Sequence, residues 1–442
     1  MSVQDLETAV TQLSKEDLGR FSHGLRNRSR TQNGKMLISH PTGNANAYQA
    51  ALALEEAGLL REFWTCIAWR PSRLLRALCP SSVGRILNRR TPPQPLHPKC
   101  RTAPLHEIVR HIAGGFKFGS LVTGEKAPFG IDGVYRAFDA RVARRLHTEK
   151  GIASVYCYED GALETFKAAK SLGLRCIYEL PIGYWKASAE IYRIETLREP
   201  DWAVTLTGAS DSQEKLERKD AELALADQVI VASSFTRDTL QSANIGGKPV
   251  HVVPYGAPEF RGDLVARKPG APLRVLFAGS LGQRKGLSYL INAVESLGSA
   301  VELTLLGRKV VENCAPLNRA VQTYRWIPSL PHDQVLAQIE QHDVLVLPSL
   351  FEGFGLVILE AMSRGVPVIA TPHTAGRDLI SDGIDGYLVP IASSTAIAEK
   401  LEEMIRDSER CLAMKHAARA TAERYTWAAY RRSLVEAIHR SA

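Results

Sequence analysis

Short apolar runs alternate with helix-length amphipathic segments along most of this 442-residue chain. In the first half, strands are expected at Lys35–His40, Glu62–Trp69, Ala153–Tyr158, Arg175–Leu180, Asp227–Ala232 and His251–Pro254. Helices are expected at Asn46–Gly58, Gly161–Leu172 and Thr236–Ser242. The pattern restarts with strands at Arg274–Ala278, Val301–Leu306, Val344–Leu347 and Pro367–Ala370, alternating with helices at Gly286–Leu297, Asp333–Gln341 and Gly355–Ser363. Such alternation implies parallel sheets joined by right-handed crossover helices. Between the two series, Gly256–Pro272 is rich in glycine and proline and poor in apolar anchors, as a linker is. The expected architecture is α/β: two doubly wound, Rossmann-like domains facing a cleft. Residues 1–256 would form the first domain, 257–272 the linker and 273–420 the second. A C-terminal helix within 421–442 would pack back on the first. Thr91–Pro98 holds four prolines and is expected to be an extended loop.

Composition removes several function classes. No apolar run approaches the roughly 20 residues of a bilayer span, and the N-terminus lacks a signal-peptide pattern, so a cytoplasmic location is the expectation. The seven cysteines are scattered with no C-x-x-C, and there is no H-E-x-x-H, so reduced thiols and no structural metal are expected. The net charge of +8 is uneven: residues 61–110 carry ten Lys and Arg against Glu62 and Glu107. Trp64, Trp69, Leu74, Leu75, Leu78, Ile86 and Leu87 lie among them. This mixture suits an acidic acceptor or an anionic membrane surface, the latter placing the protein on the inner face of the membrane. It equally suits a solvated basic face whose apolar side is in the core. Nucleic acid is not indicated, because no recognition motif accompanies the charge.

The most informative stretch is Leu347-Pro-Ser-Leu-Phe-Glu352-Gly353-Phe354-Gly355-Leu356-Val357-Ile-Leu-Glu360. A strand ends at Pro348, a glycine loop follows, and a helix starts near Gly355. Ligands of open α/β sheets bind outside the carboxyl ends of the strands, where a helix N-terminus offers free N–H groups to phosphate. Glu352 and Glu360 are eight residues apart, or ~12 Å along a helix. A glycosidase carboxyl pair lies closer, at roughly 5–9.5 Å. The two glutamates therefore read as acceptors at opposite ends of one elongated ligand. The second element, Phe277-Ala-Gly279-Ser280-Leu-Gly282-Gln-Arg284-Lys285-Gly286, is again strand, loop and helix. Arg284 and Lys285 stand where a diphosphate needs neutralising.

Together these elements resemble the family 4 retaining glycosyltransferases of GT-B fold. The resemblance rests on Glu352-x7-Glu360 within P-S-x-x-E-G-F-G, on E-A-M and G-x-P-V-I-A after it, and on Lys285 before the helix glycine. It implies that Glu352 lies beside the donor sugar, Glu360 holds the ribose and the backbone of Gly355–Val357 holds phosphate. It also implies that Lys285 grips the diphosphate and that the end of the strand at Arg325–Ile327 contacts the base through its backbone. Ser280 stands where the family carries an arginine, and Arg284 could supply that charge. At Asp378 the family more often has a glutamate. In the first domain, His40-Pro-Thr-Gly43-Asn44 resembles the loop that meets the donor phosphates across the cleft, although Asn44 would also suit a helix cap. Glu159 and Asp160 end another strand on the acceptor side, with Asp160 also placed to cap a helix. The aromatics of Tyr178–Trp185 suit sugar stacking or core packing.

The implied activity is transfer of a sugar from a nucleotide diphosphate sugar to an acceptor hydroxyl on a sugar, lipid-linked or small molecule, with retention. Glu352, Arg284 and Lys285 are the catalytic candidates. The donor is a co-substrate, and neither cofactor nor metal is required. A sugar-nucleotide epimerase, a phosphorylase or a non-catalytic nucleotide-sugar or lipid-binding scaffold on the same architecture are the alternatives.

Overall fold

The computed structural model describes residues 34–71, 87–115, 119–259, 262–264, 267–268 and 270–440. The first sheet has seven parallel strands in the order β3-β2-β1-β4-β5-β6-β7: β1 Lys35–Ser39, β2 Leu60–Thr65, β3 Cys100–Thr102, β4 Ile152–Tyr158, β5 Arg175–Leu180, β6 Gln228–Val231 and β7 Val250–Val252. The second has six, in the order β10-β9-β8-β11-β12-β13: β8 Leu273–Ala278, β9 Val301–Leu306, β10 Arg325–Ile327, β11 Val344–Leu347, β12 Val368–Ala370 and β13 Gly386–Leu388. Helices cover both faces of each sheet. This explains why a run such as Val-Leu-Val-Leu in β11 is buried along its whole length.

In both sheets the order reverses once, between β1 and β4 and between β8 and β11. A crevice opens at such a reversal, outside the carboxyl ends of the strands. The helices α1 Ala45–Glu56, α8 Leu287–Leu297 and α11 Leu356–Ser363 follow β1, β8 and β11 and start at those crevices. The remaining helices are α2 Leu105–Gly115, α3 Ile131–Leu146, α4 Leu163–Ser171, α5 Trp185–Arg198, α6 Gln213–Leu225, α7 Ser234–Thr239, α9 Ala315–Thr323, α10 His332–Glu340, α12 Gly376–Leu379, α13 Ser394–Arg406, α14 Ser408–Arg424 and α15 Trp427–Arg440.

The two sheets exchange elements. From the second, α15 returns to the first: Arg431 bonds Glu56 at 2.8 Å and Gln49 at 2.7 Å, and Gln228 donates to the Ala437 carbonyl. In the other direction, a 3-10 turn after α5 places Trp202, 5% exposed, within the core around β8 and α8. Gln283 N then donates to Thr205 Oγ1 at 2.8 Å, and its buried amide bonds Glu195 on α5 at 2.6 Å.

One expectation is corrected. Gln94–Lys99 is a 3-10 helix rather than extended loop, since a proline in the first turn gives up an N–H that has no helical partner anyway. Several described cations of the basic window are paired with acids. Arg61 pairs with Glu149, Lys99 with Glu55, Arg101 with Glu62, and Arg90 and Arg110 with Glu107. Two of those acids lie outside the window, so a charge count along the chain misses them. Arg73, Arg76, Arg85 and the apolar residues Leu74, Leu75, Leu78 and Ile86 lie outside the described residues. Among the described residues no helix is long and apolar enough to cross a membrane.

Candidate active site

Two loops meet at the reversal of the second sheet. The loop after β8 carries Gly279, Ser280 and a 3-10 turn, Gln283–Lys285. The loop after β11 carries Glu352–Gly355 into α11. They are joined through backbone, Leu350 N donating to the Arg284 carbonyl at 2.9 Å, and through charge. Arg284 Nη1 lies 3.2 Å from Glu352 Oε2 and donates to the Phe351 carbonyl at 3.0 Å, while Lys285 Nζ contacts the same Glu352 oxygen. With Lys285 protonated, two cations share this one carboxylate and one positive charge is left over within the trio. Burial, with the neighbouring Arg284 adding to it, drives the Lys285 ammonium well below the usual lysine range. An arriving anion would relieve that penalty. Gly355 enters α11 from the left-handed region at φ +80°, and no side chain caps the helix. Its first-turn N–H groups at Leu356 and Val357 are the ordinary anion-binding feature of a helix start.

Glu360 projects from α11, and His332 Nε2 lies 2.8 Å from its Oε1. The sequence did not suggest this partner, 28 residues away. The hydrogen bond to Glu360 raises the His332 pKa. At the other end, Ile327 in β10 has its carbonyl engaged by Gly307 N at 2.9 Å. Gly279 N is held by the Leu306 carbonyl at 2.9 Å. Ser280 brings no charge, so the cations of this loop are Arg284 and Lys285.

The β11 loop is pressed against the first domain. Ser233 and Thr236 both donate to the Gly353 carbonyl, Thr236 at 2.9 Å. A Cβ at Gly353 would stand 1.9 Å from the Pro181 carbonyl oxygen. Alongside, Ser234 N donates to Asp378 at 2.8 Å, and Arg377 pairs with Asp238. Phe351 packs edge-on against Tyr192 and Phe235.

In the first domain the candidate residues bond within that domain. His40 is buried, and its Nδ1 accepts from Thr42 N at 3.2 Å and Gly43 N at 3.1 Å. The ring therefore shapes the glycine loop as a neutral acceptor. Burial, reinforced by Arg90, lowers its pKa to about 3. The unfolded chain titrates near 6.5, so this contribution to stability is present above pH 6.5 and lost as pH falls toward 3. We expect His40→Asn to remove about 1.4 kcal/mol per pH unit of acid sensitivity below pH 6.5, read from urea unfolding at pH 7 to 4. Parallel curves for variant and wild type would rule this out.

Asn44 Oδ1 accepts from Ala47 N at 2.9 Å and caps α1. Asp160 does not cap α4. Glu222 accepts from Ala162 N and Leu163 N, and Asp139 accepts from Glu164 N and Thr165 N. Those caps arrive from helices 25 to 60 residues away and left no local sequence signal. Asp160 instead adopts φ +68°, with Lys219 Nζ 4.0 Å from its carboxyl and 3.8 Å from that of Glu159. Burial raises the Glu159 carboxyl above its usual range, and Lys219 opposes this. Tyr178 and Tyr184 are core residues at 1% and 3% exposure, whereas Trp185 is only partly buried.

Solved structures share this fold over nearly the whole chain. Sucrose-phosphate synthase from Thermosynechococcus elongatus superposes with a TM-score of 0.63 at 16% identity, covering 92% of this chain and 99% of that one. HepE of Anabaena in complex with UDP-glucose does so with a TM-score of 0.57 at 15% identity, covering 92% and 100%. The chain has the two-domain GT-B fold. Within it, residues 265–421 match the family model of glycosyl transferases group 1. Two D-inositol 3-phosphate glycosyltransferases are similar over part of their length. That of Corynebacterium urealyticum is 30% identical over 178 residues, 40% of this chain and 37% of that protein. That of Corynebacterium aurimucosum is 27% identical over 247 residues, 50% and 59%. The phosphatidyl-myo-inositol mannosyltransferase of Mycobacterium leprae is 32% identical over 162 residues, 35% and 42%. The aligned stretches thus span between 37% and 59% of these relatives.

Proposed function

We propose that this GT-B protein transfers a glycosyl group from a nucleoside diphosphate sugar to an acceptor hydroxyl, with retention of configuration. The observation that carries this reading is the convergence of Arg284 and Lys285 on Glu352 beside the uncapped start of α11. A cationic, mostly buried cluster of this kind suits a diphosphate. As the glycosidic C–O bond breaks, negative charge grows on the leaving diphosphate. Arg284 and Lys285, turning from Glu352 to the diphosphate, and the α11 N–H groups would stabilise that charge from positions fixed by the fold. Glu352, released from part of its ion pairing when the diphosphate takes the cations, is placed to accept a hydroxyl of the donor sugar. The departing diphosphate oxygen takes the acceptor's proton as the acceptor oxygen bonds the anomeric carbon on the same face. Glu360, shared with His332, is the ribose acceptor. The chemistry needs no metal, because the cations and helix start offset the diphosphate. Contact with anionic lipid would fall to segment 61–110, where several cations are already paired with acids.

The test is thermal unfolding with UDP, GDP, ADP and their common sugar conjugates. Ligand at 100 times its Kd stabilises by about 2.7 kcal/mol. At this size that is a rise of a few degrees. A response to one base family is expected, and no response to any nucleotide would overturn the transferase reading.

A further inference from the structure

Beside the donor loops lies a cavity of about 360 Å³ between α5 and α6, lined by Trp185, Ser188, Tyr192, Asp211, Lys219 and Phe351. Its wall is one residue from the donor carboxylate. Phe351 precedes Glu352, its carbonyl is held by Arg284, and its ring meets that of Tyr192 at 6.1 Å between centroids. Pockets of this size commonly hold small ligands. The aromatic edge is fixed in place: Trp185 Nε1 donates to Asp220 at 2.6 Å, and the hydroxyl of Tyr184 bonds the same carboxylate.

The charges of the cavity are already matched. Lys219 Nζ lies 3.4 Å from Asp211, 3.8 Å from Glu159 and 4.0 Å from Asp160. Asp211 is shared with Lys215 at 3.0 Å, and Lys215 also meets Asp132 at 3.1 Å. The other cation in the lining, Arg193, is bound by both oxygens of Glu190 at 2.9 and 2.8 Å. A phosphorylated ligand would have to displace carboxylates from these cations and bring a dianion among them. A hydroxyl-rich neutral ligand meets acceptors on Asp211, a hydroxyl on Ser188 and the partly exposed Trp185 ring.

Resting on the transferase reading, we propose that this cavity is the acceptor site and that it selects a neutral, hydroxyl-rich acceptor over a phosphorylated one. This differs from the acceptor printed in the names of the D-inositol 3-phosphate glycosyltransferases to which the chain is similar.

The experiment measures transfer from the nucleotide sugar that stabilises the wild type. The probes are methyl α-glucoside, methyl α-galactoside and myo-inositol, against glucose 6-phosphate and inositol 3-phosphate. The wild type should favour a neutral probe by at least about tenfold in kcat/KM. Ser188→Trp, which fills the cavity, should raise the KM of that probe about tenfold or more while the thermal response to the nucleotide sugar stays at the wild-type value. Asp211→Asn, which frees Lys219 of one carboxylate, should shift the preference about tenfold toward the phosphorylated probes. Preference of the wild type for a phosphorylated probe, transfer to none of the neutral ones, or an unchanged acceptor KM in Ser188→Trp would each overturn the proposal. A wild type with no thermal response to any nucleotide fails the transferase reading itself, and this proposal with it.

Discussion

Lys285→Ala is expected to abolish the thermal response to nucleoside diphosphates and to lower kcat for transfer by about 10²–10³. That is the range seen when one preorganised electrostatic contact to a transition state is removed. Lys285 Nζ sits against Glu352, is 11% exposed in its side chain, and is held at depressed basicity by burial and by Arg284. In the free protein this is an unfavourable arrangement that a diphosphate converts into a favourable one. The same logic sets the pH dependence. Diphosphate binds the protonated ammonium, so affinity should weaken as pH rises through the lowered pKa of free Lys285. Glu360→Gln, in the second turn of α11, should instead raise the donor KM with less effect on kcat. Nucleotide titration by calorimetry across a range of pH, with single-turnover kinetics, reads both effects. A Lys285→Ala protein with wild-type nucleotide response would remove the diphosphate assignment from this turn.

Gly353→Ala is expected to lower kcat/KM by about 100-fold, with a loss of stability of about 1–3 kcal/mol. The added methyl would stand 1.9 Å from the Pro181 carbonyl oxygen and 2.8 Å from Ile182 Cα. Both are backbone atoms at the end of β5, so neither can swing aside. The loop must retreat, weakening the bonds from Ser233 and Thr236 to the Gly353 carbonyl and moving Glu352 relative to Arg284 and Lys285. A displacement of about 1 Å at a reacting centre costs on the order of 10² in rate. Steady-state kinetics and urea unfolding of the variant check this. Near-wild-type kinetics would mean that the contact between the β11 loop and the first domain does not position the site.

Much of the donor half was legible because its residues are local in the chain. The strand–loop–helix units at 277–286 and 347–360 are each a continuous run whose side chains and backbone converge at one strand end. Spacing alone therefore brings Arg284 and Lys285 near one loop and Glu352 near another. Alternation of apolar runs was equally readable, since a parallel strand buried on both faces must be apolar throughout. The three-residue strands β3, β7, β10, β12 and β13 carry too few positions for a period, and β3 and β13 went unanticipated. So did α5 and α6.

What the sequence by itself determined is the class of fold, two doubly wound sheets, and the chemical character of the two loops after β8 and β11. Both follow from residues close enough in the chain to interact in any compact state. The tertiary structure alone decided which charges remain free. Lys219 meets Glu159 from 60 residues away, Arg61 finds Glu149 from 88, and His332 finds Glu360 from 28. Whether a buried charge binds a ligand or merely balances a neighbour depends on what long-range packing places within about 4 Å of it, where its Coulomb interaction outweighs screening by water.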